Sequence, residues 1–175
     1  MRNKILWITR TAVMMAVLIA LQWATSGLGQ FVTGSCVNLV LALTTLVVGL
    51  WAGVAVALLS PFCAFLLGIG PKLIQLIPII ALGNMVLVVL TAVLLSSKAL
   101  PWWRKVVGIA ASALCKFLVL YIGVVQVFIP IMGDALKEKQ IQTFTATFSW
   151  PQLVTALIGT TVAVLIVPVI RKAIK

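Results

Sequence analysis

The sequence lacks most of the residues on which enzyme active sites depend. Its 175 residues include no histidine and only two acids, Asp134 and Glu138. The three cysteines lie in apolar surroundings without the spacing of metal ligands, and no G-x-x-x-x-G-K-S/T phosphate loop is present. The apolar segments therefore hold no acid for proton coupling and no histidine for a metal site or a general base. An enzyme is the least favoured class, and we expect no metal and no cofactor.

Charged residues are absent from a long N-terminal stretch, since none lies between Arg10 and Lys72. The chain is 63% hydrophobic and 9% charged, with a mean hydropathy of +1.28. About 20 helical residues cross a bilayer core of about 30 Å, so this stretch is long enough for three crossings, with breaks near residues 23–30 and 49–53. The core of a soluble protein would need polar helix faces, and none is present. The stretch therefore predicts three membrane helices.

The same pattern continues along the chain and predicts an all-α integral membrane protein. We expect six transmembrane helices in one compact bundle that forms a single membrane domain. The predicted helices cover residues 5–24, 36–50, 54–69, 79–95, 105–129 and 150–167. The only sizeable polar connection, residues 133–149, holds both acids and is expected to be a loop.

The basic residues indicate how the bundle is oriented. With the N-terminus in the cytoplasm, the inner side collects Arg2, Lys4, Arg10, Lys98, Arg104, Lys105, Arg171, Lys172 and Lys175. The outer side collects only Lys72, Lys137 and Lys139. Because cytoplasmic loops of membrane proteins are enriched in Lys and Arg, both termini are predicted to be cytoplasmic. The net charge of +11 comes from basic residues at the ends of the apolar segments. A nucleic-acid partner would need a basic face interleaved with aromatic residues, and the sequence has none.

Lys116 lies near the middle of the fifth predicted helix, where a charged side chain costs a few kcal/mol. Snorkelling to the inner interface would need a reach of about 16 Å by helical rise, so we favour a position in a cavity. Gly108, Ser112 and Gly123 give this helix a small, partly polar face that suits a cavity better than lipid. No acid is available within the predicted spans. The lysine is therefore either neutral through desolvation or ready to bind an anionic ligand.

Side-chain amides share a depth in the outer half of the predicted bundle. Asn38, Asn84, Gln126 and Gln152 all fall there when consecutive helices alternate in direction. Each alone could bond between helices, but their common depth favours a polar pocket that opens to the outside. The sequence does not determine which of them face the pocket.

Small residues mark one face of the first predicted helix. Ala12, Ala16 and Ala20 recur every four residues, a spacing that lets another helix approach closely. From these residues alone, packing within the bundle is the better interpretation.

The six short helices, the cytoplasmic ends and the Ala12-x-x-x-Ala16-x-x-x-Ala20 stripe resemble the substrate-binding (S) component of energy-coupling factor (ECF) vitamin transporters. Residues 48–60 are also similar to the link between helices 2 and 3 in that family. The resemblance implies very tight binding of a vitamin, a vitamin precursor or a similar micronutrient in an outer-half pocket. It places Asn84, Lys116 and Gln126 in that pocket, and the single cation within the membrane suggests a carboxylate or phosphate on the ligand.

The resemblance also implies partners. The three alanines would dock on a transmembrane scaffold subunit, and two ATPases would drive import across the plasma membrane of a bacterium. External loops at residues 25–35, 70–77 and 133–149 would close over the substrate before the whole domain topples within the membrane. The alternative is a stand-alone secondary transporter or facilitator for a small organic solute. Such proteins usually show two related halves, and no convincing repeat is present.

Overall fold

The computed structural model describes residues 2–97 and 100–173, apart from the side chains of Arg2 and Asp134. Lys98 and Lys175, two of the basic residues expected on the cytoplasmic side, lie outside the described residues. The described chain forms seven helices joined by short links: α1 (Arg2–Thr25), α2 (Gln30–Val47), α3 (Leu50–Leu66), α4 (Ile77–Leu95), α5 (Trp102–Met132), α6 (Glu138–Phe148) and α7 (Trp150–Ala173).

Six of these helices are strongly apolar. In the described part of the chain, α1, α2, α4, α5 and α7 are long and apolar enough to cross a membrane, and α3 is an apolar helix of 17 residues. These helices confirm the predicted all-α integral membrane bundle. The orientation of the termini stays a prediction.

The link between α1 and α2 is shorter than the sequence predicted, because α2 begins at Gln30 rather than at residue 36. Gly29 makes the reversal with φ +86°, a left-handed conformation that glycine adopts without steric cost. The Thr33 hydroxyl donates to the Thr25 carbonyl oxygen at 2.6 Å. This hydrogen bond ties the first turn of α2 to the end of α1, so most of the predicted external loop at residues 25–35 is helical.

The predicted loop at residues 133–149 is also largely helical, and the expectation of a loop there was wrong. Most of the segment forms α6, whose start is fixed by a hydrogen bond of 3.0 Å from the Lys137 backbone N–H to Gln140 Oε1. Phe144 and Phe148 lie one turn apart and pack together on the apolar side chains of α5. Their burial explains the helix, because an amphipathic segment gains stability only when its apolar face is covered.

The core of the bundle is built around α2. This helix packs against α1, α3 and α4, and most extensively against α7. At one end of the bundle the C-terminal parts of α2 and α7 meet, and Arg171 Nη2 donates to the Leu46 carbonyl oxygen at 2.6 Å. We call this the basic end, because it also carries the basic residues Lys4, Arg10, Arg104, Lys105 and Lys172.

The backbones of α2 and α7 approach each other closely at Gly159. A Cβ atom at this position would lie 2.6 Å from both the Leu39 backbone nitrogen and the Ser35 carbonyl oxygen. Backbone atoms of a packed helix cannot move aside easily, so only glycine allows this contact. The contact fixes how α7 sits beside Asn38, which immediately precedes Leu39 in α2.

Gly159→Ala is therefore expected to destabilise the protein. Overpacking costs about 1–3 kcal/mol and outweighs the gain in helix propensity of about 1 kcal/mol, so we expect a clearly lower melting temperature in detergent. Gly133→Ala is the control, because a Cβ there meets no described atom within 4 Å. Equal melting temperatures for both variants would show that α2 and α7 can move apart enough to accept the added methyl group.

Candidate functional site

A cavity of about 220 Å³ opens where the α1–α2 link, the α3–α4 link and α6 come together, and we call this the cavity end. All seven helices contribute lining residues. The polar part of the lining consists of Gln22, Ser26, Gln30, Thr33, Asn38, Ser60, Asn84, Lys116, Thr147 and Gln152. Apolar side chains form the walls between them, among them Val37, Pro61, Ile80, Leu120 and Phe148. The cavity can hold a small organic molecule with a polar group at its buried end.

Lys116 lies at the buried end of this cavity and is only 3% exposed. Its Nζ atom donates to Asn38 Oδ1 at 2.5 Å and to Asn84 Oδ1 at 2.6 Å. An ammonium has three N–H donors and no acceptor, so the two amide oxygens satisfy two of the three. The lysine does not snorkel to an interface. It is held between α2 and α4 by neutral groups.

A second set of hydrogen bonds orients Asn38. Its Nδ2 atom donates to Thr155 Oγ1 at 3.3 Å, and the Thr155 hydroxyl donates to the Gln152 carbonyl oxygen at 3.2 Å. With Nδ2 turned towards α7, the amide presents its oxygen to Lys116. The close contact at Gly159 supports this arrangement, because it brings α7 within reach of the amide.

Gln152 connects the cavity to α6. Its Nε2 atom donates to the Thr147 carbonyl oxygen at 3.1 Å, so the first turn of α7 is tied to the last turn of α6. Phe148 packs with Leu120 and Leu76, which belong to α5 and to the link before α4. α6 therefore covers one side of the cavity and is held there by apolar contacts and by this hydrogen bond.

Five side chains were predicted to form a pocket, and four of them line one cavity: Asn38, Asn84, Lys116 and Gln152. Gln126 does not line it. Its side chain is exposed, and Nε2 donates to Tyr121 Oη at 3.1 Å. α5 is a π-helix over Tyr121–Phe128, and π winding brings residues five apart onto one face. The predicted depth of Gln126 therefore carried no information about the direction of its side chain.

Sequence reasoning missed Ser60. The Ser60 hydroxyl is buried, lines the cavity and has no hydrogen-bond partner among the described residues. It lies directly before Pro61, which lacks a backbone N–H and interrupts the hydrogen bonding of α3. A serine–proline pair inside an apolar helix is the signal that could have identified it.

The alanine stripe lies on the outer face of α1. Ala12, Ala16 and Ala20 are all exposed, whereas Leu18 on the other side of the helix is fully buried in the core. Among the described side chains of α1, only Leu18 is buried. The interpretation of the stripe as packing within the bundle was therefore wrong, because the bundle covers the opposite face.

The fold and the cavity define a membrane-embedded helical bundle with a partly polar cavity near one end of its helices. The family model of the ECF transporter substrate-specific component matches residues 7–171. The chain belongs to this family, and the match confirms the resemblance noted in its sequence. It is thus a substrate-specific subunit of ECF transporters. No curated protein and no solved structure matches the chain.

Proposed function

We propose that this chain is the high-affinity binding subunit for a vitamin or a vitamin precursor in an ECF importer of a bacterial plasma membrane. It binds one small molecule from outside the cell and delivers it together with a separate scaffold subunit and two ATPases. The observation that carries the proposal is the cavity with Lys116 held at its buried end by Asn38 and Asn84. A buried ammonium without an acidic partner is costly in a membrane protein unless a ligand uses it.

The distribution of charge supports an outward-facing cavity. Among the basic side chains that the structure describes, most lie at the basic end, whereas the cavity end carries Lys72, Lys137 and Lys139. The enrichment of Lys and Arg in cytoplasmic segments favours the basic end as the inner side. Substrate would then enter between the α1–α2 link, the α3–α4 link and α6.

The exposed face of α1 supports a partner. A stripe of small residues that the bundle leaves uncovered allows another helix backbone to approach closely. We propose that Ala12, Ala16 and Ala20 dock on the scaffold subunit, as the family membership suggests. The sequence has no phosphate loop and no acid within its apolar helices, so uphill transport would take its energy from the ATPases.

Ligand retention and vesicle uptake test this function. The detergent-purified chain is incubated with an equimolar mixture of water-soluble vitamins and their precursors, washed and analysed by mass spectrometry. We expect retention of one compound at about a one-to-one ratio. Vesicles that contain the chain with an ECF scaffold and its ATPases are then expected to accumulate that compound only when ATP is supplied.

Vesicles that contain the chain alone are the control for the alternative. Flux of the retained compound through these vesicles would favour a stand-alone transporter or facilitator. A chain that fails to associate with the scaffold and ATPases would also contradict the proposal.

A further inference from the structure

We propose that the cavity selects small compounds that carry one carboxylate and no other charge. In this proposal Asn38 and Asn84 are positioning residues that set the selectivity, because they hold Lys116 as an ammonium without cancelling its charge. The selectivity rests on the proposed function, since it concerns the substrate of that same site.

The buried end of the cavity offers hydrogen-bond donors. Asn38 Oδ1 and Asn84 Oδ1 both accept hydrogen bonds from Lys116. The third N–H of Lys116 has no hydrogen-bond partner among the described residues, and neither has the buried hydroxyl of Ser60. A carboxylate is an acceptor only, with lone pairs for several donors, so it complements this set.

The charge of the site selects a monoanion. The two acids of the chain lie outside the membrane helices, and Lys116 forms no ion pair with any side chain that the structure describes. One carboxylate neutralises one ammonium, which removes the cost of an unpaired buried charge. A phosphate monoester carries a charge of about −1.5 to −2 and would leave excess negative charge in the cavity. A cationic ligand would be repelled.

Asparagine suits this role because an amide oxygen accepts a hydrogen bond without a net charge. Aspartate at either position would form an ion pair with Lys116 inside the protein. The ammonium would then be satisfied before any ligand arrived, and an incoming carboxylate would meet a net neutral site with an acid beside it.

The size and lining of the cavity limit the rest of the ligand. The volume of about 220 Å³ lies below the roughly 300–1,000 Å³ of typical ligand pockets. Phe148 is the only aromatic side chain among the described lining residues, so the cavity offers no pair of rings to stack a large planar ligand. The walls are apolar, and Gln22, Gln30 and Thr33 lie towards the open end. The cavity therefore favours a small acid without a large ring system. Neutral polar groups at the end of the ligand away from the carboxylate would face Gln22, Gln30 and Thr33.

Matched pairs of acids and neutral analogues test the selectivity. The probes are nicotinate with nicotinamide, pantothenate with panthenol, biotin with biotinamide, and lipoate with lipoamide. Thiamine and pyridoxal 5′-phosphate represent cations and phosphate monoesters. Thermal shift of the purified chain identifies binders, and titration calorimetry gives their dissociation constants.

We expect at least one of the four acids to bind at least about 100-fold more tightly than its neutral partner, because its carboxylate bonds to a charged donor. The proposal is overturned if none of the four acids binds, or if a neutral analogue, thiamine or the phosphate binds as tightly as the best acid.

Asn84→Asp and Asn38→Asp test the positioning role. Each is expected to weaken the acid at least about 100-fold while the melting temperature without ligand stays at or above that of the wild type, because the acid provides a counter-ion for Lys116. A misfolded variant would show the opposite change in melting temperature. Gln142→Glu is the control, since Gln142 is an exposed amide of α6 outside the cavity, and it should leave affinity unchanged.

Retained affinity in both aspartate variants, or a lower melting temperature in both, would overturn the positioning role. The selectivity and the proposed function can fail independently of each other. ATP-dependent uptake of a neutral or cationic vitamin by the full complex would leave the proposed function intact and overturn the selectivity. Flux through vesicles with the chain alone would overturn the proposed function without affecting the comparison of acids with their analogues.

Discussion

Replacing Lys116 by methionine is expected to lower the affinity for the bound substrate about 200- to 5,000-fold. Removing one partner of a buried charged contact costs roughly 3–5 kcal/mol, which corresponds to this change in the dissociation constant. Methionine keeps the length and the apolar stem of the side chain, so the packing of α5 against α2 and α4 should change little. The measurement is titration calorimetry with the compound that the wild-type chain retains.

The control for this variant is Lys139→Met. Lys139 is an exposed lysine of α6 that does not line the cavity, and its replacement removes the same charge at the same end of the bundle. We expect wild-type affinity, because solvent screens an exposed charge. Equal affinities of Lys116→Met and the wild type would remove the lysine from the binding site, whereas equal losses in both variants would indicate a general effect of net charge.

Ala16→Trp is expected to separate binding from transport. Ala16 is exposed in the middle of the α1 stripe, so a large side chain there would keep a partner helix at a distance without disturbing the core. Overpacking of a helix contact costs about 1–3 kcal/mol, which corresponds to about a 5- to 150-fold weaker association with the scaffold subunit. Copurification and ATP-dependent uptake should fall accordingly, and the affinity of the isolated chain for substrate should remain.

Ala110→Trp is the matched control for this prediction. Ala110 is also an exposed alanine of an apolar helix, but it lies on α5 rather than on α1. We expect normal copurification and uptake for this variant. Loss of uptake in both variants would point to a defect in insertion, and normal uptake in Ala16→Trp would exclude the stripe as the docking face.

The depth of the site could be predicted from the sequence, because helical rise is constant and the helices alternate in direction. This reasoning placed Asn38, Asn84 and Gln152 in the outer half of the bundle and Lys116 near the middle of its helix. The structure brings all four to one cavity. The rotation of each helix about its axis could not be predicted in the same way. Rotation depends on packing between distant segments, such as the approach of α7 to α2 at Gly159.

Three other differences have separate physical causes. The helix α6 was missed because its polar residues were taken as a sign of a loop, although Ile141, Phe144 and Phe148 follow the period of an amphipathic helix. The direction of Gln126 was missed because π winding leaves no simple mark in sequence. The alanine stripe was ambiguous for another reason: small residues serve contacts inside a bundle and contacts with a partner equally well.

The close contact at Gly159 has a consequence for how a substrate reaches Lys116. It makes the α2–α7 wall rigid immediately beside Asn38, so this wall cannot yield as a molecule passes. The side formed by α6 is held by Phe144, Phe148 and the bond from Gln152. Side-chain contacts of this kind break and reform more readily than a backbone contact. We therefore expect a substrate to enter by displacing α6 rather than by separating α2 from α7.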